Sequence, residues 1–153
     1  SETEHTTSYF CPIWYEHEDD SEWWMTFNQN TYSSDLLSLF GGKNIFSERE
    51  RLYPKSADLG QGPAEPPGGR DTRYPRVTAA EVIAGQPDLI LLPSEPYSFG
   101  EKDKQVIFHA FADTPAVRRK RVYFVDGSLL TWYGVRLSKA LQEFPEIFYS
   151  LHP

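Results

Sequence analysis

Between residues 78 and 144 the chain alternates apolar patterns of two periods. Asp88 to Leu92 (DLILL) is an unbroken aliphatic run, the pattern of a strand covered on both faces. Val122 to Val125 (VYFV) predicts another strand of this kind. Helical spacing flanks both. Thr78 opens a helix (TAAEVIAG) with Glu81 three residues on, a capping box, and Gly85 closes it. A second helix is predicted over 101–111, with Val106, Ile107, Ala110 and Phe111 on its apolar side. A third is predicted from about Tyr133 to Phe144.

Upstream the pattern is less regular. Residues 8–15 (SYFCPIWY) read as one aromatic-rich strand in which Pro12 demands an edge or a bulge. A polar run (EHEDDSE) leads into Trp23, Trp24, Met25, Thr26 and Phe27. Leu36, Leu37 and Phe40 fall at helical spacing over 32–40, and Gly41 and Gly42 supply a stop. Residues 54–75 are rich in proline and glycine and poor in apolar residues, which predicts a mobile surface loop within one domain.

Helix and strand in alternation predict an α/β fold: a three-layer αβα sandwich on a mainly parallel sheet, with residues 1–153 forming a single lobe. In such sheets ligands bind beyond the carboxyl ends of the strands. The segments 16–27, 93–97 and 126–136 are therefore expected to meet at one rim, with Trp14 beside them. That gathers Trp14, Trp23, Trp24, Phe27, Ser94, Tyr97, Trp132, Tyr133 and Arg136 as candidate ligand contacts. Trp23 and Trp24 are adjacent, so on an extended chain one faces the core and the other the cleft. Arg136 among rings suits carboxylate or phosphate groups.

Composition narrows the chemistry. Aromatic residues make up 15% of the 153, more than a core of this size needs, which favours a bulky or flat ligand. A net charge of -7 without a basic stripe argues against nucleic acid as a partner. Arg118 to Arg121 read as a solvated loop. The single Cys11 excludes an internal disulfide and a multi-cysteine zinc site, and its apolar neighbours make it a buried thiol. The acidic run around His17 lacks the spacing of a calcium loop and reads as a solvated cluster, so no metal site is expected. His109 is read as structural. Nucleophile-elbow, metalloprotease, P-loop and dinucleotide-binding motifs are lacking, so no catalytic residues are assigned and no enzyme is expected. No apolar run is long enough to span a membrane, and no signal sequence is read at the polar start (SETEHTTS).

Three stretches, "WMTFNQNTYSSDLLSLFGGKNIF" (24–46), "VTAAEVIAGQPDLILLPSEPYSF" (77–99) and "VYFVDGSLLTWYGVRLSKALQEF" (122–144), resemble the class III periplasmic binding proteins. These capture vitamin B12, ferric siderophores or haem for ABC importers. The resemblance is to the C-terminal lobe alone; the N-terminal lobe and the bridging helix have no counterpart here. It implies an extracytoplasmic, periplasmic or membrane-anchored lipoprotein setting, a permease as partner and the N-terminal lobe as a missing partner. It also implies a cobalamin or ferric chelate as cargo and no intrinsic cofactor. The family docks to its permease through a glutamate at the helix entering "PD"; that register falls on Ala80, with Glu81 beside it and Glu95 on a rim loop as a substitute. Two other readings stand beside this one: a flavodoxin-like domain holding a flavin or nucleotide, and a lone lobe acting as a homodimer through its aromatic rim.

Overall fold

The computed structural model describes residues 6–130 and 143–148. Four strands form a parallel sheet in the order β4-β1-β6-β7: β1 (Thr7–Phe10), β4 (Gly42–Asn44), β6 (Leu89–Pro93) and β7 (Val122–Val125). Three further strands, β2 (Trp14–Glu18), β3 (Ser21–Met25) and β5 (Arg76–Val77), make an antiparallel sheet beside it. The helices are α1 (Tyr32–Ser38), α2 (Lys55–Asp58), α3 (Ala79–Gly85), α4 (Glu101–Ala110) and α5 (Pro115–Arg118), with a 3₁₀ turn over Gly127–Leu130.

The aliphatic run of β6 is central because it can satisfy two layers at once. All five of its residues are buried. Leu89 and Leu91 point into a core shared with Tyr9, Phe27, Leu36, Leu37, Phe144 and Phe148. Ile90 and Leu92 point the other way, to Phe10, Trp24, Val82, Ile107, Phe111 and Val117. The period-2 alternation of a strand thus divides one apolar run between two cores. This is the expected αβα sandwich.

The expected helix boundaries mostly stand. Thr78 caps α3 and Glu81 answers it, closing the capping box. Gly85 ends the helix, but the left-handed position that stops the chain is Gln86, at φ 46°. Gly41, at φ 84°, follows α1 as its stop. Along α4 only Ile107 is fully buried, with Phe111 just beyond its end. Of the predicted 133–144 helix, residues 133–142 lie outside the described residues; residues 143–148 are helical, past the predicted end, with Phe144 and Phe148 buried.

Two predicted features differ. The single strand over 8–15 is two strands in different sheets, broken at Cys11–Ile13, because Pro12 has no N–H to extend the ladder. The segment 54–75 is exposed over most of its length, as a surface loop is, but it carries regular structure and anchoring hydrogen bonds that its composition does not announce. It contains α2, and Glu65 N–H donates to the Tyr53 carbonyl across an isolated bridge. The Asp58 side chain, fully buried, accepts from the backbone N–H groups of Leu52 and Arg76.

Helix α4 has no side chain at its N-cap, because that residue is Gly100. Its backbone is extended (φ -122°, ψ -171°), and a Cβ there meets nothing within 4 Å. Gly100→Ser adds a hydroxyl acceptor for the first-turn N–H groups without strain. It is expected to stabilise the protein by roughly 0.3–1 kcal/mol, read as a higher urea midpoint at unchanged m-value.

Candidate functional site

The sheet order places a crevice. From β1 the chain crosses to β4 on one side; from β6 it crosses to β7 on the other. Neighbouring parallel strands whose connections diverge leave a gap beyond their carboxyl ends, where ligands of open α/β sheets bind. In this sheet that switch point is between β1 and β6, which pair through Tyr9–Leu89 and Phe10–Ile90. The segments leaving it are Cys11–Trp14 and Ser94–Tyr97.

These two loops are tied together. Tyr97 N–H donates to the Ile13 carbonyl at 3.3 Å. The Trp14 ring, 37% exposed, meets the Tyr97 ring edge-on with centroids 5.4 Å apart. Tyr97 in turn stands perpendicular to Tyr15 (6.5 Å, 89°), and Tyr15 leans on Trp24. The rings form a shelf with a buried foundation and an exposed lip. Glu95 precedes a cis peptide bond to Pro96 in the same loop.

The ring donors are all committed. Trp14 Nε1 donates to Glu16 Oε1 at 3.1 Å, the Tyr97 hydroxyl to Asp103 Oδ1 at 2.7 Å, and the Tyr15 hydroxyl to Glu22 Oε2 at 2.7 Å. Asp103 also accepts from Gly100 N–H at 2.8 Å, so one carboxylate fixes both the rim tyrosine and the start of α4. From the third rim strand, Gly127 N–H donates to Ser94 Oγ at 3.0 Å.

Burial, then the hydrogen bond to Asp103, then the charges of Asp103 and Glu16 push the Tyr97 hydroxyl up to about 12. Burial and the Glu22 hydrogen bond raise Tyr15 as well. A raised tyrosine keeps its proton longer in the folded state. The associated stability is present below the unfolded value of about 10 and is lost as pH rises through about 12. In an ultraviolet tyrosinate titration, the signal missing from Tyr97→Phe is expected near that upper value, and Asp103→Asn is expected to bring it down.

The predicted site residues divide. Trp14, Ser94, Glu95 and Tyr97 are together at the rim. Trp24 and Phe27 are not: each is 1% exposed, Trp24 against Phe111 at 4.8 Å and Phe27 near Tyr9. Trp23 is also buried, beneath the cations of Lys55 and Arg76 at 5.4 and 5.1 Å. Both tryptophans are therefore buried, because the second face of the hairpin is covered at Trp23 by the side chains of Lys55 from α2 and Arg76 from β5. Of the predicted meeting of three loops, the β2–β3 hairpin contributes its base; its tip (Glu18 to Ser21) borders Lys55 and Gln61 instead. Trp132, Tyr133 and Arg136 lie outside the described residues. Glu81 is engaged at both oxygens, by Arg49 Nε at 2.9 Å and Thr78 N–H at 3.3 Å. Cys11 is buried, and burial pushes its thiol well above the usual range. No group of three or more potential metal ligands occurs among the described residues.

Glu16 and Asp103 were missed by sequence reasoning. Asp103 had a signal, an acid three residues after a Gly at a helix start; Glu16 sat inside an acidic run with nothing to single it out.

The fold and its crevice define a class: this is the architecture of one lobe of a periplasmic binding protein. Solved structures with this fold include the periplasmic vitamin B12 binding protein BtuF of Vibrio cholerae (TM-score 0.63, 18% identity, 97% of this chain and 46% of that one). The periplasmic heme-binding protein HutB of Vibrio cholerae superposes with TM-score 0.60 at 22% identity, over 98% of this chain and 49% of that one. A possible iron-binding periplasmic solute-binding protein from Staphylococcus epidermidis gives 0.65 at 16%, over 97% and 47%. The chain thus spans about half the length of these neighbours. No family model and no curated protein matches it.

Proposed function

We propose that this lobe is the binding part of an extracytoplasmic receptor for an ABC importer. Its cargo would be a bulky metal chelate, a cobalamin, haem or ferric siderophore. The observation behind this is the exposed Trp14 ring packed on the half-buried Tyr97 at the β1/β6 switch point, where the fold puts ligands. Rings at a rim bind by apolar burial and shape, with no bond made or broken, so the reading is of binding and not catalysis. The structural neighbours named for B12, heme and iron are binding proteins with the same architecture.

Trp132, Tyr133 and Arg136, which follow β7 in sequence, complete the proposed contacts, and Glu95 is the better placed of the two permease-docking candidates, since Glu81 is bound by Arg49. The test is calorimetric titration of the chain with cyanocobalamin, haem and a ferric tris-hydroxamate. At least one is expected to bind. Trp14→Ala and Tyr97→Ala are each expected to weaken it by roughly tenfold, the loss of one buried ring contact. Unchanged affinity in both variants would move the site elsewhere.

A further inference from the structure

Among the described residues the shelf has rings and acceptors but few donors, and that selects among ligands. Trp14, Tyr97 and Tyr15 each have one polar hydrogen, and each gives it to a carboxylate. An anionic oxygen arriving at this shelf finds no ring donor free. It finds Glu16 beside the Trp14 indole, the exposed Glu95 on the same loop as Tyr97, and Asp103 behind the Tyr97 hydroxyl. Of the lysines of α4, Lys104 lies over the Phe108 and Phe124 rings, and Lys102 borders a groove on the Tyr15 side of the shelf, where the Glu22 carboxylate lines the same groove. Ring faces are themselves electronegative and attract cations.

We infer that the Trp14–Tyr97 shelf takes an uncharged or cationic face of its chelate and discriminates against anionic ones, with Glu16, Glu95 and Asp103 setting the preference. This rests on the proposed chelate-binding function and names the charge class of the cargo. The physical reason is that a like-charge approach in a partly desolvated site is penalised, whereas opposite charge also speeds encounter.

The experiment compares three probes on the full chain by titration at low and moderate salt: uncharged cyanocobalamin, a monocationic ferric tris-hydroxamate and a trianionic ferric tris-catecholate. The trianion is expected to bind weaker than the better of the other two by on the order of tenfold or more. The gap is expected to narrow to within about threefold in the Glu16→Gln/Glu95→Gln double variant. Glutamine keeps an oxygen to accept the Trp14 indole hydrogen, so the geometry stays and only charge is removed. Arg136, a proposed contact that follows β7 in sequence, is the cation that would oppose this preference, so a trianion that binds the parent as tightly as the other probes and loses that affinity in Arg136→Gln would overturn it. Trianion binding as tight as the others, or a gap unmoved by the double variant, would overturn the charge preference while leaving a chelate-binding lobe. Failure of all three probes and of haem to bind would overturn the functional reading and this inference with it, and binding of haem alone, an anionic chelate, would overturn the charge preference.

Discussion

Replacing Asp58 with alanine is expected to cost about 3–5 kcal/mol, enough to consume a large part of the stability of a domain this size. Its carboxylate is fully buried and holds two arginines: Arg49 Nη1 at 3.0 Å on one oxygen and Arg76 Nη1 at 3.6 Å on the other. The same oxygens accept the backbone N–H groups of Leu52 and Arg76 at 2.9 and 2.8 Å. Removing the anion strands the two backbone N–H groups and takes the counter-charge from Arg76 where water reaches them poorly, while Arg49 keeps Glu81 and the Glu50 carbonyl. Arg76 is already strained electrostatically, since burial and the neighbouring Arg51 lower its affinity for a proton and Asp58 opposes them. Arg49 keeps its proton more firmly than usual; burial works against it, and Glu81 and Asp58 more than offset this.

Asp58→Asn retains one acceptor oxygen and is expected to lose less, still several times the effect of a surface change. The comparison is Asp71→Asn. Asp71 pairs with Arg73 at 2.8 Å and its carboxyl is held near 2, chiefly by the Arg73 side-chain and backbone hydrogen bonds, but both groups are exposed. Solvent screens that pair, so its loss is expected to leave the urea midpoint close to the parent's. Equal midpoints for Asp58→Ala and the parent would mean that the arginines find other partners when the carboxylate goes.

Asp58 also marks where reading the chain reaches its end. Strand β6 could be read because five adjacent apolar residues have few other fates, and α3 because Thr78 and Glu81 sit at capping-box spacing. The αβα arrangement followed from their alternation. The fastening of 54–75 could not be read, since Arg49, Asp58 and Arg76 are nine and eighteen residues apart with no period linking them. Composition shows proline and glycine and an exposed loop; it does not show the buried carboxylate that anchors one end of it.

The rim was legible in part for a similar reason. The rule about strand ends found Tyr97 and Ser94, because their strand was already certain. It misplaced Trp24 and Phe27, because an aromatic beside a polar run looks the same whether it faces a cleft or a second core. The deciding fact was Pro12, which ends β1 early and sends Trp14 to Glu18 into a hairpin over α4. That fold-back covers Trp24 and leaves Trp14 at the edge.

The second large effect is expected at Gly127→Ala, and it tests whether the rim loops act as one unit. A Cβ at this position meets the Glu95 carbonyl oxygen at 2.5 Å, its nitrogen at 2.7 Å and its Cγ at 2.8 Å. Two of those three atoms are backbone and cannot swing aside as the end of a side chain can. The loop after β6 and the turn after β7 must part, breaking the Gly127 N–H to Ser94 Oγ bond that joins them. Overpacking of this kind is expected to cost about 1–3 kcal/mol, measured by urea unfolding. The consequence for function separates it from an ordinary core defect. Glu95 and Tyr97 are on the displaced loop, and Tyr97 is hydrogen-bonded to Ile13 on the other wall of the crevice. Displacement therefore changes the angle between the Tyr97 and Trp14 rings, and chelate affinity is expected to fall together with stability. Asp58→Asn, in the arginine cluster beside α2, is expected to lower stability and spare affinity under conditions where both variants remain folded. If Gly127→Ala lost stability yet bound its chelate as the parent does, the rim would be a set of independent contacts, and the shelf would owe nothing to the strand ends that hold it.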